Sequence, residues 1–94
     1  MIEPIPKFTA ALASKPGVGR VLNAGLQDWR PEPGVLYDVV WNQWCVGHLT
    51  DPELVEYLVR CASVLAEGGF VVVKENLSTL GDDVYDGLDS SVTR

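Results

Sequence analysis

Residues 39–50, Val-Val-Trp-Asn-Gln-Trp-Cys-Val-Gly-His-Leu-Thr, set two tryptophans, two side-chain amides and the chain's single histidine between a strand-like run and the start of a helix. A histidine can exchange a proton near neutral pH, an amide can orient a polar ligand, and a large ring can wall a pocket. Each also has a plainer role, as a hydrogen-bonding residue at the head of a helix or as part of a core. Two later pieces carry matching chemistry: Lys74-Glu75-Asn76 at the end of an apolar run, and Asp89-Ser90-Ser91-Val92. In open α/β sheets ligands lie at the carboxyl ends of the strands, where residues distant in sequence meet.

The elements that must position these residues follow from periodicity. Residues 7–14, with Phe8, Ala11 and Leu12 on one side, suit a short helix stopped by Ser14-Lys15-Pro16-Gly17, and residues 20–24 read as a strand. The β-branched and aromatic residues of 35–41 predict a second strand. Thr50-Asp51-Pro52-Glu53 is a capping box with proline in the first turn, and Leu54, Val55, Leu58, Val59, Ala62 and Leu65 then recur at helical spacing until Gly68 and Gly69 end the helix. Residues 70–73 are a continuous apolar run, which suits a strand of a parallel sheet covered on both faces. Strand, helix and strand make a βαβ unit.

Composition narrows the function. The 94 residues, 47% of them hydrophobic, suit at most one globular domain with a small core, burying about 60 to 70% of the unfolded surface. No apolar run approaches the roughly 18 residues of a membrane span, and the start of the chain has no secretory pattern. This favours an intracellular protein without a membrane partner. Cys45 and Cys61 stand singly, which suggests buried thiols and neither a zinc site nor a disulfide framework. Seven basic against thirteen acidic residues give a net charge of −6, which opposes nucleic-acid binding and suits a basic partner. Gly17-Val18-Gly19 precedes a strand instead of opening a helix, the wrong context for a dinucleotide loop. Met1-Ile2-Glu3-Pro4 is either a frayed terminus or a strand end whose carboxylate takes ribose hydroxyls. Gly25-Leu26-Gln27-Asp28-Trp29 is either an ordinary loop or an adenine-facing turn.

Gly25-Leu26-Gln27-Asp28, Tyr37-Asp38-Val39-Val40-Trp41, Gln43-Trp44, Gly47-His48-Leu49-Thr50-Asp51, Lys74-Glu75-Asn76 and Leu88-Asp89-Ser90-Ser91-Val92 together resemble the motifs of the eukaryotic α-N-terminal protein methyltransferases. The resemblance implies an α/β, Rossmann-like class I methyltransferase sheet of mostly parallel strands with flanking helices, and S-adenosyl-L-methionine as cofactor. It implies that Glu3 holds the ribose with Pro4 and Ile5 beside it, that Leu26 and Gln27 frame the adenine, and that Gln43 touches the cofactor. Trp44, Asn76, Asp86, Asp89 and Ser91 should line a channel for protein N-termini beginning X-Pro-Lys or X-Pro-Arg. An α-amine, with a pKa of about 7.7 to 8.0, must lose its proton to attack a methyl group. Asp89 and His48 are the candidate acceptors, and Asn76 can accept a hydrogen bond from the amine.

Measured against that family, residues 1–94 are expected to be one incomplete domain. The first strand with its glycine-rich loop would precede Met1, and the last helix and closing hairpin would follow Arg94. The 94 residues alone are then expected to be inactive. The alternatives are a non-catalytic remnant acting as an acidic interaction module, and a methyltransferase of small molecules. The expected location is the cytoplasm, with the nucleus as a second compartment.

Overall fold

The computed structural model describes all residues except Ala13, Leu80 and Asp89. The chain divides into two compact units, Met1–Arg30 and Pro31–Arg94.

In the first unit, helix α1 (Pro6–Leu12) follows a parallel bridge between Ile2 and Leu22. Glu3 N–H donates to Leu22 O at 2.9 Å and Leu22 N–H to Met1 O at 2.8 Å. The strand expected over 20–24 is thus reduced to pairing at Leu22. The helix also departs from expectation in what it buries. Thr9 is its buried residue, while Phe8 on the apolar side is exposed. The Thr9 hydroxyl donates to Asn23 Oδ1 at 2.7 Å, and Asn23 Nδ2 donates to Glu3 O at 3.1 Å, so a polar relay tethers this helix.

The second unit is built on β1 (Tyr37–Gln43), a 3₁₀ turn at Val46–His48, α2 (Asp51–Ser63) and β2 (Leu65–Lys74). Strands β1 and β2 are parallel, with Val39 opposite Phe70, Trp41 opposite Val72 and Gln43 opposite Lys74. The expected βαβ unit is present. Its helix starts at the expected capping box: Glu53 N–H donates to Thr50 Oγ1 at 3.3 Å, and Thr50 N–H to Glu53 Oε1 at 2.9 Å.

Its end differs from expectation. Helix α2 stops at Ser63, and Leu65, Gly68 and Gly69 belong to β2. The pairing jumps from Tyr37 opposite Leu65 to Val39 opposite Phe70, so residues 66–69 bulge out of the ladder. Glycine is required there: a Cβ on Gly69 would lie 3.0 Å from the carbonyl oxygens of Tyr37 and Asp38. The glycines thus act inside a strand, not as a helix stop.

Asn42 on β1 and Tyr57 and Cys61 on α2 are buried together under one face of the sheet. The other face is open, with Trp41 60% and Phe70 56% exposed, so this run is not covered on both sides within the chain. Strands β3 (Val84–Asp86) and β4 (Ser91–Thr93) form an antiparallel hairpin, where the sequence reading names no element. Among the described residues no helix is long and apolar enough to cross a membrane.

Candidate functional site

The second unit holds a cavity of about 430 Å³ lined by Trp44, His48, Asn76, Asp86 and Ser91, with Arg94 beside them. Three segments bring these residues together: the exit of β1, the exit of β2 and the hairpin. Asp89, given a role with them by sequence, lies outside the described residues.

The exit of β1 turns sharply. Trp44 has φ 52°, a left-handed backbone that costs a bulky residue roughly 1–2 kcal/mol, and its indole stands 60% exposed with Lys74 Nζ 5.3 Å from the ring centre. Three hydrogen bonds to the exit of β2 hold this turn. Trp44 N–H donates to Lys74 O at 3.0 Å, and the N–H groups of Cys45 and Val46 donate to one oxygen of Glu75 at 2.8 and 2.9 Å.

The hairpin is held against the same turn. Gly47 has no room for a side chain, because a Cβ there would lie 2.9 Å from Val92 O. Arg94 Nη2 donates to Leu49 O and to Asp51 Oδ1, both at 2.8 Å, and its Nε reaches Asp51 Oδ1 at 3.0 Å. This clamp ties β4 to the start of α2. Sequence reading gave no role to Glu75, Arg94 or Gly47.

Behind the turn, Asn42 Nδ2 donates to Val72 O at 3.2 Å and its Oδ1 accepts from the Tyr57 hydroxyl. Burial pushes the Tyr57 hydroxyl above its ordinary value, with the neighbouring Cys61 adding to the effect, and burial also raises the Cys61 thiol. Both groups therefore stay protonated at neutral pH, and the Tyr57 hydroxyl serves as the donor to Asn42. An asparagine directly after the apolar run Val39-Val40-Trp41 was the available signal for this network, since a buried amide demands partners.

Of the residues assigned to a cofactor, Gln43 ends β1 and accepts a bond from Trp41 Nε1 at 3.2 Å; it does not line the cavity. Glu3, Pro4, Ile5, Leu26 and Gln27 lie in the first unit. Glu3 follows the parallel bridge, and one of its carboxylate oxygens accepts from Ile5 N–H at 3.1 Å. Leu26 and Gln27 form a turn closed by Asp28 N–H donating to Gly25 O at 3.0 Å. A carboxylate just after a parallel bridge and a half-buried leucine in a later turn fit the ribose and adenine of an adenosyl group.

A family model described as AdoMet dependent proline di-methyltransferase matches residues 1–94. The chain is 45% identical over 98 residues to alpha N-terminal protein methyltransferase 1 of Schizosaccharomyces pombe, covering 100% of this chain and 43% of that protein. To the human N-terminal Xaa-Pro-Lys N-methyltransferase 1 it is 50% identical over 70 residues, covering 74% of this chain and 30% of that protein. A solved SAM-dependent methyltransferase of Leishmania major superposes with a TM-score of 0.87 at 30% identity, over 99% of this chain and 38% of that one. The chain thus spans well under half the length of the relatives it matches. Its match along all 94 residues, on an α/β fold of parallel strands with flanking helices, shows that it belongs to the AdoMet-dependent proline di-methyltransferase family.

Proposed function

We propose that this chain forms part of an enzyme that methylates the α-amino group of protein N-termini beginning X-Pro-Lys or X-Pro-Arg. Its partners are peptides, not nucleic acid or membrane, and it works in the cytoplasm and nucleus. The observation that carries the reading is the shared cavity of Trp44, His48, Asn76, Asp86 and Ser91, drawn from three separate segments. The names of the fission-yeast and human relatives point the same way.

Bound S-adenosyl-L-methionine supplies an electrophilic methyl group on sulfur. By the family resemblance, Glu3 would hold its ribose, Leu26 and Gln27 its adenine, and Gln43 would touch it. The remaining work falls to the cavity residues and to Asp89. Trp44 walls the cavity beside the amine, and Asn76 accepts one of its hydrogen bonds without favouring the charged form as strongly as a carboxylate would. His48 or Asp89 takes the proton that the amine must lose. Asp86 attracts the basic third residue of the peptide, and Ser91 offers it a hydroxyl. Orienting the neutral amine toward the methyl carbon provides the rest of the acceleration.

The test places residues 1–94 in the matching position of the fission-yeast relative and measures methyl transfer by mass spectrometry. A peptide beginning Ser-Pro-Lys should be methylated, and one beginning Ser-Pro-Glu should not. Comparable rates for both would defeat the reading.

A further inference from the structure

We infer that Glu75 is a positioning residue for the peptide cavity, the group that holds Trp44 and His48 in the arrangement the site needs. The inference rests on the methylation reading for its purpose and on geometry for its content.

One oxygen of Glu75 accepts two consecutive N–H groups, Cys45 at 2.8 Å and Val46 at 2.9 Å. Those two amides follow Trp44 and open the 3₁₀ turn Val46–His48. A left-handed backbone at a tryptophan persists only where its surroundings over-determine it. Here the peptide before the turn is fixed by Trp44 N–H on Lys74 O, and the two peptides after it by Glu75. The carboxylate therefore acts on both ends of the turn's output: the indole of Trp44 on one side and the imidazole of His48 on the other. Both line the cavity, as do Glu75 itself and Asn76, the next residue along the chain. One side chain thereby couples the exit of β1 to the exit of β2 at the place where the proposed amine acceptor stands. A glutamine would keep the shape and one acceptor oxygen but lose the charge assistance that makes such bonds about twice as strong. Alanine would remove both.

The experiment uses the 94-residue chain and its Glu75→Gln and Glu75→Ala variants, followed by NMR. In Glu75→Gln, amide exchange at Cys45 and Val46 should rise roughly tenfold. The Trp44 indole and His48 ring resonances should shift, while those of Tyr57 and Cys61 stay in place. A synthetic peptide beginning Ser-Pro-Lys should bind about tenfold more weakly, with affinity for adenosine unchanged. A purely structural role would instead disturb Tyr57 and Cys61 and weaken both ligands together. Unmoved Trp44 and His48 resonances in both variants would overturn the inference, and Glu75→Gln decides alone if Glu75→Ala fails to fold. If the unsubstituted chain takes up no such peptide, the methylation reading loses its support, and the resonances still judge Glu75.

Discussion

Replacing Tyr57 with phenylalanine deletes one hydroxyl from the interior of the βαβ unit and leaves the ring in place. Tyr57 and Asn42 are each 2% exposed, and the hydroxyl donates to Asn42 Oδ1. Without it, that oxygen keeps, among the described residues, the Cys45 thiol at 3.9 Å, a weak donor. The variant thus strands a buried acceptor and opens almost no cavity, a loss of about 1–3 kcal/mol. In urea the midpoint should fall while the slope stays constant, and each kcal/mol should lower Tm by about 4–8 °C for a domain of this size. The same hydroxyl gives a signature in alkali. Its pKa is raised in the fold above the ordinary 10.0, chiefly by burial, so its contribution is complete below about pH 10 and is lost as pH rises beyond that. The unsubstituted chain should therefore lose stability above about pH 10 through this residue, and Tyr57→Phe should lack that part of the slope. The Cys61 thiol, raised above 9.0 by burial, contributes a separate decline starting near pH 9 that the variant retains. A loss below about 0.5 kcal/mol, well under the cost of a stranded acceptor, would refute this account. So would an alkaline slope identical in the two proteins.

Three further outcomes are expected. Thr50→Ala should cost about 0.5–2 kcal/mol by removing the cap of α2, seen as a lower urea midpoint. The backbone N–H of Thr50, and after it the Thr50 side chain, hold the Glu53 carboxyl below its ordinary 4.5, so this contribution is present above that pH and lost as pH falls below it; because alanine keeps the backbone N–H, the variant should retain most of this acid dependence in circular dichroism. Gly47→Ala should push β4 away from the 3₁₀ turn, visible as shifted Ser91 and Val92 amide resonances and weaker peptide binding, because its Cβ would meet Val92 O at 2.9 Å. In the hybrid with the fission-yeast relative, Asp89→Asn should reduce single-turnover methyl transfer far more than calorimetric cofactor affinity, and equal losses would remove Asp89 from the amine.

The βαβ unit was legible because its determinants are local. A capping box, a helical repeat and an apolar run each need only neighbouring residues to be read. Boundaries failed where one residue type serves two ends: Gly68-Gly69 suits a helix stop as well as the bulge it forms. The hairpin escaped because Val84, Tyr85 and Asp86 are all exposed and show no alternation. The short pairing at Leu22 was over-read as a strand, since Val21-Leu22 carries strand character that Asn23 and Ala24 do not extend. For the cavity, family resemblance picked out Trp44, His48, Asn76, Asp86 and Ser91, which the fold brings to one place. Glu75 stayed silent because its partners are backbone groups, the N–H of Cys45 and Val46, which no side-chain pattern announces, and Arg94 because Leu49 O and the Asp51 carboxylate lie 45 and 43 residues away along the chain.

The bulge at residues 66–69 has a consequence for how β2 chooses its alignment. Val71, Val72 and Val73 are identical, so sliding the strand by two places along β1 would still set a valine opposite Asn42 or Val40, though it would bring Phe70 or Lys74 opposite Trp41. Such runs are prone to misalignment. Gly69 breaks the degeneracy. A slide of two in one direction would press Val71, and in the other Glu67, against the carbonyls of Tyr37 and Asp38, where even a single added carbon would come within 3.0 Å. A slide of one would turn Trp41's neighbours on β2 to the opposite face. The missing methyl group at Gly69 thus works as a key cut for one position, fixing the depth at which β2 seats and, with it, where Lys74, Glu75 and Asn76 emerge.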